Sequence, residues 1–256
     1  MDYEAKYGKQ IIKCTATSGQ LMKKRILFLL PAIIFIAAGI LMLVYPEVLE
    51  GEDVPYLLPL LFGVGAVFLA MAIFFVKPAT AILYEGGFIT TRGSTVKETD
   101  FNDILGITDT KIVHTLYALI PVGNTRIVTI GRKDGSKFGL LKAFVPDFNR
   151  FCDELGTAIS AFMLKGITKE NIAEANISFG DKLELTGGHL VFNSKKEGMI
   201  TIALETVRGL KYFGEGYHLD IVGDADEKGN PEVLATIRAD SAYNLDSLYN
   251  IIGMYQ

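Results

Sequence analysis

The sequence predicts a two-helix transmembrane hairpin followed by two tandem, mainly-β units, each closed by a helix. Three observations carry this prediction. Two runs of 20 and 23 residues, at 26–45 and 54–76, contain no charged side chain. Beyond Pro78 the texture changes to short β-branched and aromatic stretches punctuated by Gly, Asn and Asp, and these give way to a helical period. That succession then occurs a second time in the same order.

Residues 1–25 form a basic segment with Lys6, Lys9, Lys13, Lys23, Lys24 and Arg25 against two acids, net +4. The runs that follow are each long enough for the roughly 20 residues a helix needs to cross hydrocarbon. The eight residues between them, "PEVLEGED", are too few for a domain, so 26–77 reads as one antiparallel helical hairpin. The first run exceeds the roughly 7–15 apolar residues of a cleaved leader, and 25 residues precede it, so it reads as a span. The loop carries Glu47, Glu50, Glu52 and Asp53 and no base, whereas both flanks are basic, with Lys77 following the second run. Positive flanks stay in the cytoplasm, which puts both termini there.

Neither run contains Asp, Glu, Lys, Arg or His, so the polar path of a pump or channel is missing. Gly63, Ala66 and Ala70 make a small-residue stripe on the second run. Ala37, Ala38 and Gly39 offer a counterpart on the first, and the two are expected to pack within the hairpin. Residues 79–256 carry a net charge of −5, which excludes wrapping of nucleic acid. Cys14 and Cys152, on the cytoplasmic side, suit a reducing compartment as free thiols and are too few for a zinc site.

The first unit, 79–163, opens with "TAILY" and "FITTR" around Glu85-Gly86-Gly87. It continues through "VKETDFNDILGITDT", "KIVHTLYALI", a turn at "PVGN", "TRIVTIGR", a turn at Lys133–Ser136 and "KFGLLKA". Phe148, Phe151, Cys152, Leu155, Ile159 and Phe162 then recur at helical spacing behind Pro146 and Asp147. Residues 164–175 are a linker with a short helix begun by Thr168. The second unit, 176–256, repeats the pattern from "KLELTGGHLVFN" to a closing helix with Leu245, Leu248, Tyr249 and Ile252 on one face. Three anchors align: Gly86-Gly87 with Gly187-Gly188, Leu105-Gly106-Ile107 with Arg208-Gly209-Leu210, and Phe148, Phe151 and Leu155 with Leu245, Leu248 and Ile252.

The combination of "LYEGGFITTRG", "FNDILGIT", "DGSKFGLL" and "FNRFCDEL" is similar to bacterial pleckstrin-homology-like domains that stand behind two membrane spans. The resemblance covers 79–163 best, with 176–256 as a second copy. It implies a bent antiparallel barrel capped by its C-terminal helix, a multi-pass protein of the bacterial inner membrane, and no catalytic residue. Eukaryotic relatives bind phosphoinositides through Lys and Arg around the first hairpin loop. The loops read that way here, Tyr-Glu-Gly-Gly-Phe and Leu-Thr-Gly-Gly-His, hold no base, which argues against such binding. Lys195 and Lys196, in the following loop, read as solvated.

The expected function is that of a membrane-anchored binding or scaffolding protein. It would recognise a protein partner or self-associate through sheet edges and the helix–sheet groove. The interaction candidates are Tyr84, Glu85, Phe88, His189 and Phe192, with core or edge packing as the competing role of the two phenylalanines. The alternative is an enzyme acting on a membrane lipid or small metabolite. It would need His114 or His218 to meet a carboxylate such as Asp103, Asp220 or Glu205. No phosphate-binding glycine loop or dinucleotide fingerprint lies outside the spans, and no cofactor is expected. Asp224, Asp226 and Gly229 follow part of a calcium-loop pattern, but Ala235 stands where its bidentate Glu belongs, so the segment reads as a polar hairpin loop.

Overall fold

The computed structural model describes residues 2–45, 54–116, 120–180, 183–194, 198–213, 218–238 and 242–255. The acidic loop 46–53 and the pair Lys195 and Lys196 lie outside these residues.

The basic N-terminal segment is folded. Asp2 caps a short helix, α1 (Tyr3–Tyr7), and a strand, β1 (Gln10–Thr15), follows. Ile12 and Cys14 point inward while Ile11 and Lys13 point out, the period of two that a half-buried strand requires. The helices α2 (Ser18–Val44) and α3 (Val54–Phe74) come next, and only then β2 (Ala79–Tyr84), β3 (Gly87–Arg92) and β4 (Thr95–Asp100). β1 pairs antiparallel with β2, from Gln10 opposite Tyr84 to Thr15 opposite Thr80, so the sheet order is β1-β2-β3-β4. The two apolar helices are thus inserted between adjacent strands of one sheet.

Both helices are long and apolar enough to cross a membrane. Their outer faces expose Leu27, Ile33, Leu41, Leu60, Val67 and Phe74. α2 begins eight residues before the predicted start, at a capping box of Thr17 and Gln20, so Lys23, Lys24 and Arg25 ride on its second turn. Its 27 residues span about 40 Å, more than the roughly 30 Å of hydrocarbon. Glycine allows the helices to meet. A Cβ on Gly39 would lie 2.9 Å from the Phe62 ring, and one on Gly65 would lie 2.7 Å from Ile36, while Phe35 stacks on Phe68. The expected stripe faces this contact only in part: Gly63 and Ala66 are exposed and Ala70 is half-buried, Gly65 and Ala72 take the buried positions, and Gly39 of the first run does meet the partner helix.

A short 3₁₀ turn at Phe101–Asp103 leads into β5 (Ile104–Leu116), β6 (Ile120–Arg132) and β7 (Lys137–Gly139), a second antiparallel sheet in that order. The "PVGN" segment is strand, not turn: Pro121, Gly123 and Asn124 pair with Thr115, His114 and Val113. A register shift beside Pro121 accommodates its missing N–H. α4 (Phe148–Met163) closes the unit. Phe151 and Leu155 are fully buried against Cys14, Ala81, Leu83, Phe88 and Ile130, and Phe88 meets Phe151 edge to face. Asp147 enters the helix with a left-handed backbone, φ 51°, and makes no side-chain cap.

The same order follows again: a 3₁₀ turn at Ile172–Glu174, then β8 (Asn176–Ser178), β9 (Leu183–Thr186), β10 (His189–Ser194) and β11 (Gly198–Ala203) in one sheet. β12 (Gly209–Phe213), β13 (His218–Ala225) and β14 (Pro231–Arg238) form the other, and α5 (Leu245–Tyr255) closes it. β8 pairs with β9 as β1 pairs with β2, and the segment between Ser178 and Leu183 stands where the first unit carries both long helices. Ile172, read as linker, is fully buried in this second core. One alignment slides by a residue. The two-residue hairpin loops are Glu85-Gly86 and Gly187-Gly188, because Tyr84 pairs with Gly87 and Thr186 with His189. Gly187 and Gly188 both have positive φ, as a type I′ turn requires; Glu85 and Gly86 do not.

Candidate functional site

The absence of a primed turn in the first hairpin is explained by what covers it. Gly86 donates its N–H to the Tyr7 carbonyl at 2.8 Å, and Glu85 donates to the Lys9 carbonyl. The Glu85 carboxylate accepts the Lys9 N–H in return. A Cβ on Gly87 would fall 2.8 Å from the Tyr7 ring, so this position must be glycine for the N-terminal segment to lie where it does. Tyr84 is buried under Tyr7 with Ile89. The tip is therefore packed by the chain's own first residues.

α1 is pinned across the outer face of this sheet by Glu98 of β4. Lys6 Nζ donates to the Glu98 carboxylate at 2.8 Å, and the hydroxyls of Tyr3 and Tyr7 donate to it at 3.3 and 3.2 Å. The Lys6 hydrogen bond holds the Glu98 carboxyl below its ordinary range, and the same bond raises the Lys6 ammonium. The sequence does not announce this cluster, since Glu98 lies more than ninety residues from its three partners.

Of the interaction candidates, Phe88 lies in the first core and Phe192 in the second. Glu85 and His189 are exposed, and His189 Nδ1 lies 2.8 Å from the Gly187 carbonyl. The five do not converge: Tyr84, Glu85 and Phe88 belong to the first unit and the other two to the second.

A second constellation joins the units. Asn244 has a left-handed backbone, φ 53°, at the start of α5, as Asp147 has before α4. Its N–H donates to the Ile107 carbonyl, its Oδ1 accepts the Ile107 N–H at 3.0 Å, and its Nδ2 donates to the Leu105 carbonyl. Tyr243 is 2% exposed and lies over the cross-strand pair Gly106 and Gly131. A Cβ on Gly131 would come within 2.9 Å of its ring. Asn250 on α5 also donates to the Ser160 hydroxyl on α4. A recess of about 450 Å³ opens there, lined by Thr157, Ser160, Leu164, Asp246, Tyr249 and Asn250, with no histidine.

The groups expected for an enzyme are elsewhere. His218 is exposed at the start of β13, and the His114 side chain lies outside the description. The Asp220 carboxylate accepts the Thr236 hydroxyl, and Glu205 lends its carbonyl to Arg208. Asp226 accepts the N–H groups of Lys228 and Asn230, which uses its carboxylate to shape the hairpin loop and holds it below the usual range. Among the described residues no three His, Cys, Asp or Glu side chains gather as metal ligands. Burial pushes the Cys152 thiol up to about 12 and raises that of Cys14 as well.

Two helices long and apolar enough to span a membrane, inserted in the first of two strand-and-helix units that Tyr243 and Asn244 clasp together, define a two-unit, mainly-β protein. The chain belongs to a family of unknown function, DUF6585, whose profile matches residues 5–197. That match begins within α1 and takes in β1, both long helices and the whole first unit. No curated protein matches the chain.

Proposed function

We propose that the protein is a scaffold of the bacterial inner membrane, with both termini cytoplasmic, whose two β units are pleckstrin-homology-like domains that engage a protein partner or a second copy. One observation supports placing both flanks on one side: β1 and β2 are neighbours in one sheet although the two candidate spans separate them in sequence. In a bilayer this pairing favours both flanks of the hairpin on the same side, the side where basic flanks belong. In support of the domain reading, each unit has four strands, then three, then a helix. In that scheme the loop that carries phosphoinositide contacts in relatives is the one occupied by the spans, so the first unit meets its membrane through them.

Binding is assigned to the second unit's open edge. β11 is the last strand of its sheet, half of its residues are exposed, and Met199 is 75% exposed. Such an edge offers unpaired backbone groups for strand addition. The enzyme reading is weaker, because His189 and His218 are exposed and the Asp220 carboxylate is engaged by the Thr236 hydroxyl. A photo-crosslinker at Met199 in the full chain, in cells, is expected to capture one specific protein or a second copy. The same probe at exposed Glu227 is expected to capture neither. Indistinguishable adducts from the two positions would overturn the assignment.

A further inference from the structure

We propose that the recess between α4 and α5 is a binding site for a small aliphatic amine, an ammonium group carried on a short methylene chain. The site depends neither on the spans nor on the β11 edge. Each unit supplies one wall. Thr157, Ser160, Ala161 and Leu164 stand at i, i+3, i+4 and i+7 along α4, and Asp246, Tyr249 and Asn250 stand at i, i+3 and i+4 along α5. That spacing gathers each set on one helix face, and the two faces border about 450 Å³.

The polar groups of these walls are left as acceptors. Thr157 spends its hydroxyl proton on the Asp153 carbonyl at 3.2 Å and keeps its oxygen lone pairs. Asn250 donates from its amide nitrogen to the Ser160 hydroxyl at 3.1 Å and keeps Oδ1. The Asp246 carboxylate adds a full negative charge. It lies against α4 where Gly156 has no side chain: a Cβ there would come 3.1 Å from Oδ2. Its charge reaches across the recess, since it raises the Tyr249 hydroxyl after burial, the larger cause. No Lys, Arg or His is among the described lining residues, and Lys137 of β7 rests over the Tyr243 ring, 5.5 Å from its centre.

A ligand complementary to these walls donates hydrogen bonds and carries positive charge. An ammonium group has three N–H donors and no acceptor, and its bond to a carboxylate is charge-assisted. The rest of the lining suits methylene groups. Leu164 is half-buried, Ala161 is exposed, and Tyr249 is held by its hydroxyl, which donates to the Leu210 carbonyl at 2.8 Å. An aromatic ring also attracts a cation. An anion would meet Asp246 with no counter-charge. A metal ion would find a single carboxylate where a hard cation takes six or more oxygens.

The test is titration calorimetry on the full chain in an uncharged detergent. The probes are cadaverine, neutral pentanediol and anionic glutarate, which share a five-carbon chain. Saturable binding is expected for cadaverine and not for the other two. Asp246→Asn removes the charge from an exposed position and is expected to weaken cadaverine about tenfold or more, with the melting point of the unliganded chain unchanged. Ala161→Tyr, which fills the recess from an exposed helix position, is expected to abolish binding and gives a second answer should Asp246→Asn disturb the fold. Glu227→Gln, in the exposed hairpin loop of the second unit, is expected to leave binding as it was. The site is overturned if cadaverine shows no saturable binding, if pentanediol binds as tightly, if Ala161→Tyr still binds, or if Glu227→Gln costs as much as Asp246→Asn.

Discussion

Glu98 shows how much one side chain can hold in place. Its carboxylate gathers Lys6, Tyr3 and Tyr7, and through Tyr7 it keeps the N-terminal segment over the first hairpin turn. Its carboxyl is depressed below the ordinary 4.5, first by the Lys6 hydrogen bond. A group whose folded value is lowered contributes stability above its unfolded value and loses it as pH falls through the folded one. Docking of α1 is therefore expected to be complete near neutrality and to weaken in acid below about pH 4. Exchange protection of the Gly86 N–H, which donates to Tyr7, reports it. Glu98→Gln is expected to lower that protection at neutral pH and to remove its acid dependence; an unchanged profile would show that Glu98 does not hold the helix.

At the scale of elements the sequence was informative wherever contacts are local. The long apolar runs, the Lys133–Ser136 hairpin and the amphipathic α4 all announce themselves within about two dozen residues or fewer. β1 does not. "QIIKCT" offers only Ile12 and Cys14 as an inward pair, and its partner strand begins sixty-four residues after Thr15, beyond both spans. A signal existed in the repeat. The second unit starts with a short turn and strand, "IAEANIS", before its hairpin, and that calls for a counterpart ahead of β2. Alternation along β1 can be tested directly. Cys14→Asp buries a carboxylate at a site 6% exposed and is expected to cost several kcal/mol. Lys13→Asp, on the outward face, is expected to stay within about 0.5 kcal/mol. Thermal melts of the detergent-solubilised chain compare them, and equal midpoints would refute the strand.

For the whole molecule the decisive contact is the one between units, and it could not be read from either alone. Gly106 and Gly131 look like ordinary strand glycines in sequence; opposite each other across β5 and β6, they make the hollow that receives Tyr243. The second unit keeps Gly209 but sets Val222 opposite it, which fills the corresponding hollow. The first unit presents Pro146 and Asp147 where the second presents Tyr243 and Asn244, so it has no aromatic wedge to offer. The docking is directional and ends after one step, joining two units without extending into a series. Gly131→Val copies the second unit's closed hollow into the first. It is expected to displace Tyr243 at an overpacking cost of about 1–3 kcal/mol. The loss should fall on the junction rather than on either core, because the Gly131 position faces Tyr243. Calorimetry is expected to show one cooperative transition for the natural chain and two for the variant. A single unshifted transition in Gly131→Val would mean that the wedge does not couple the two units.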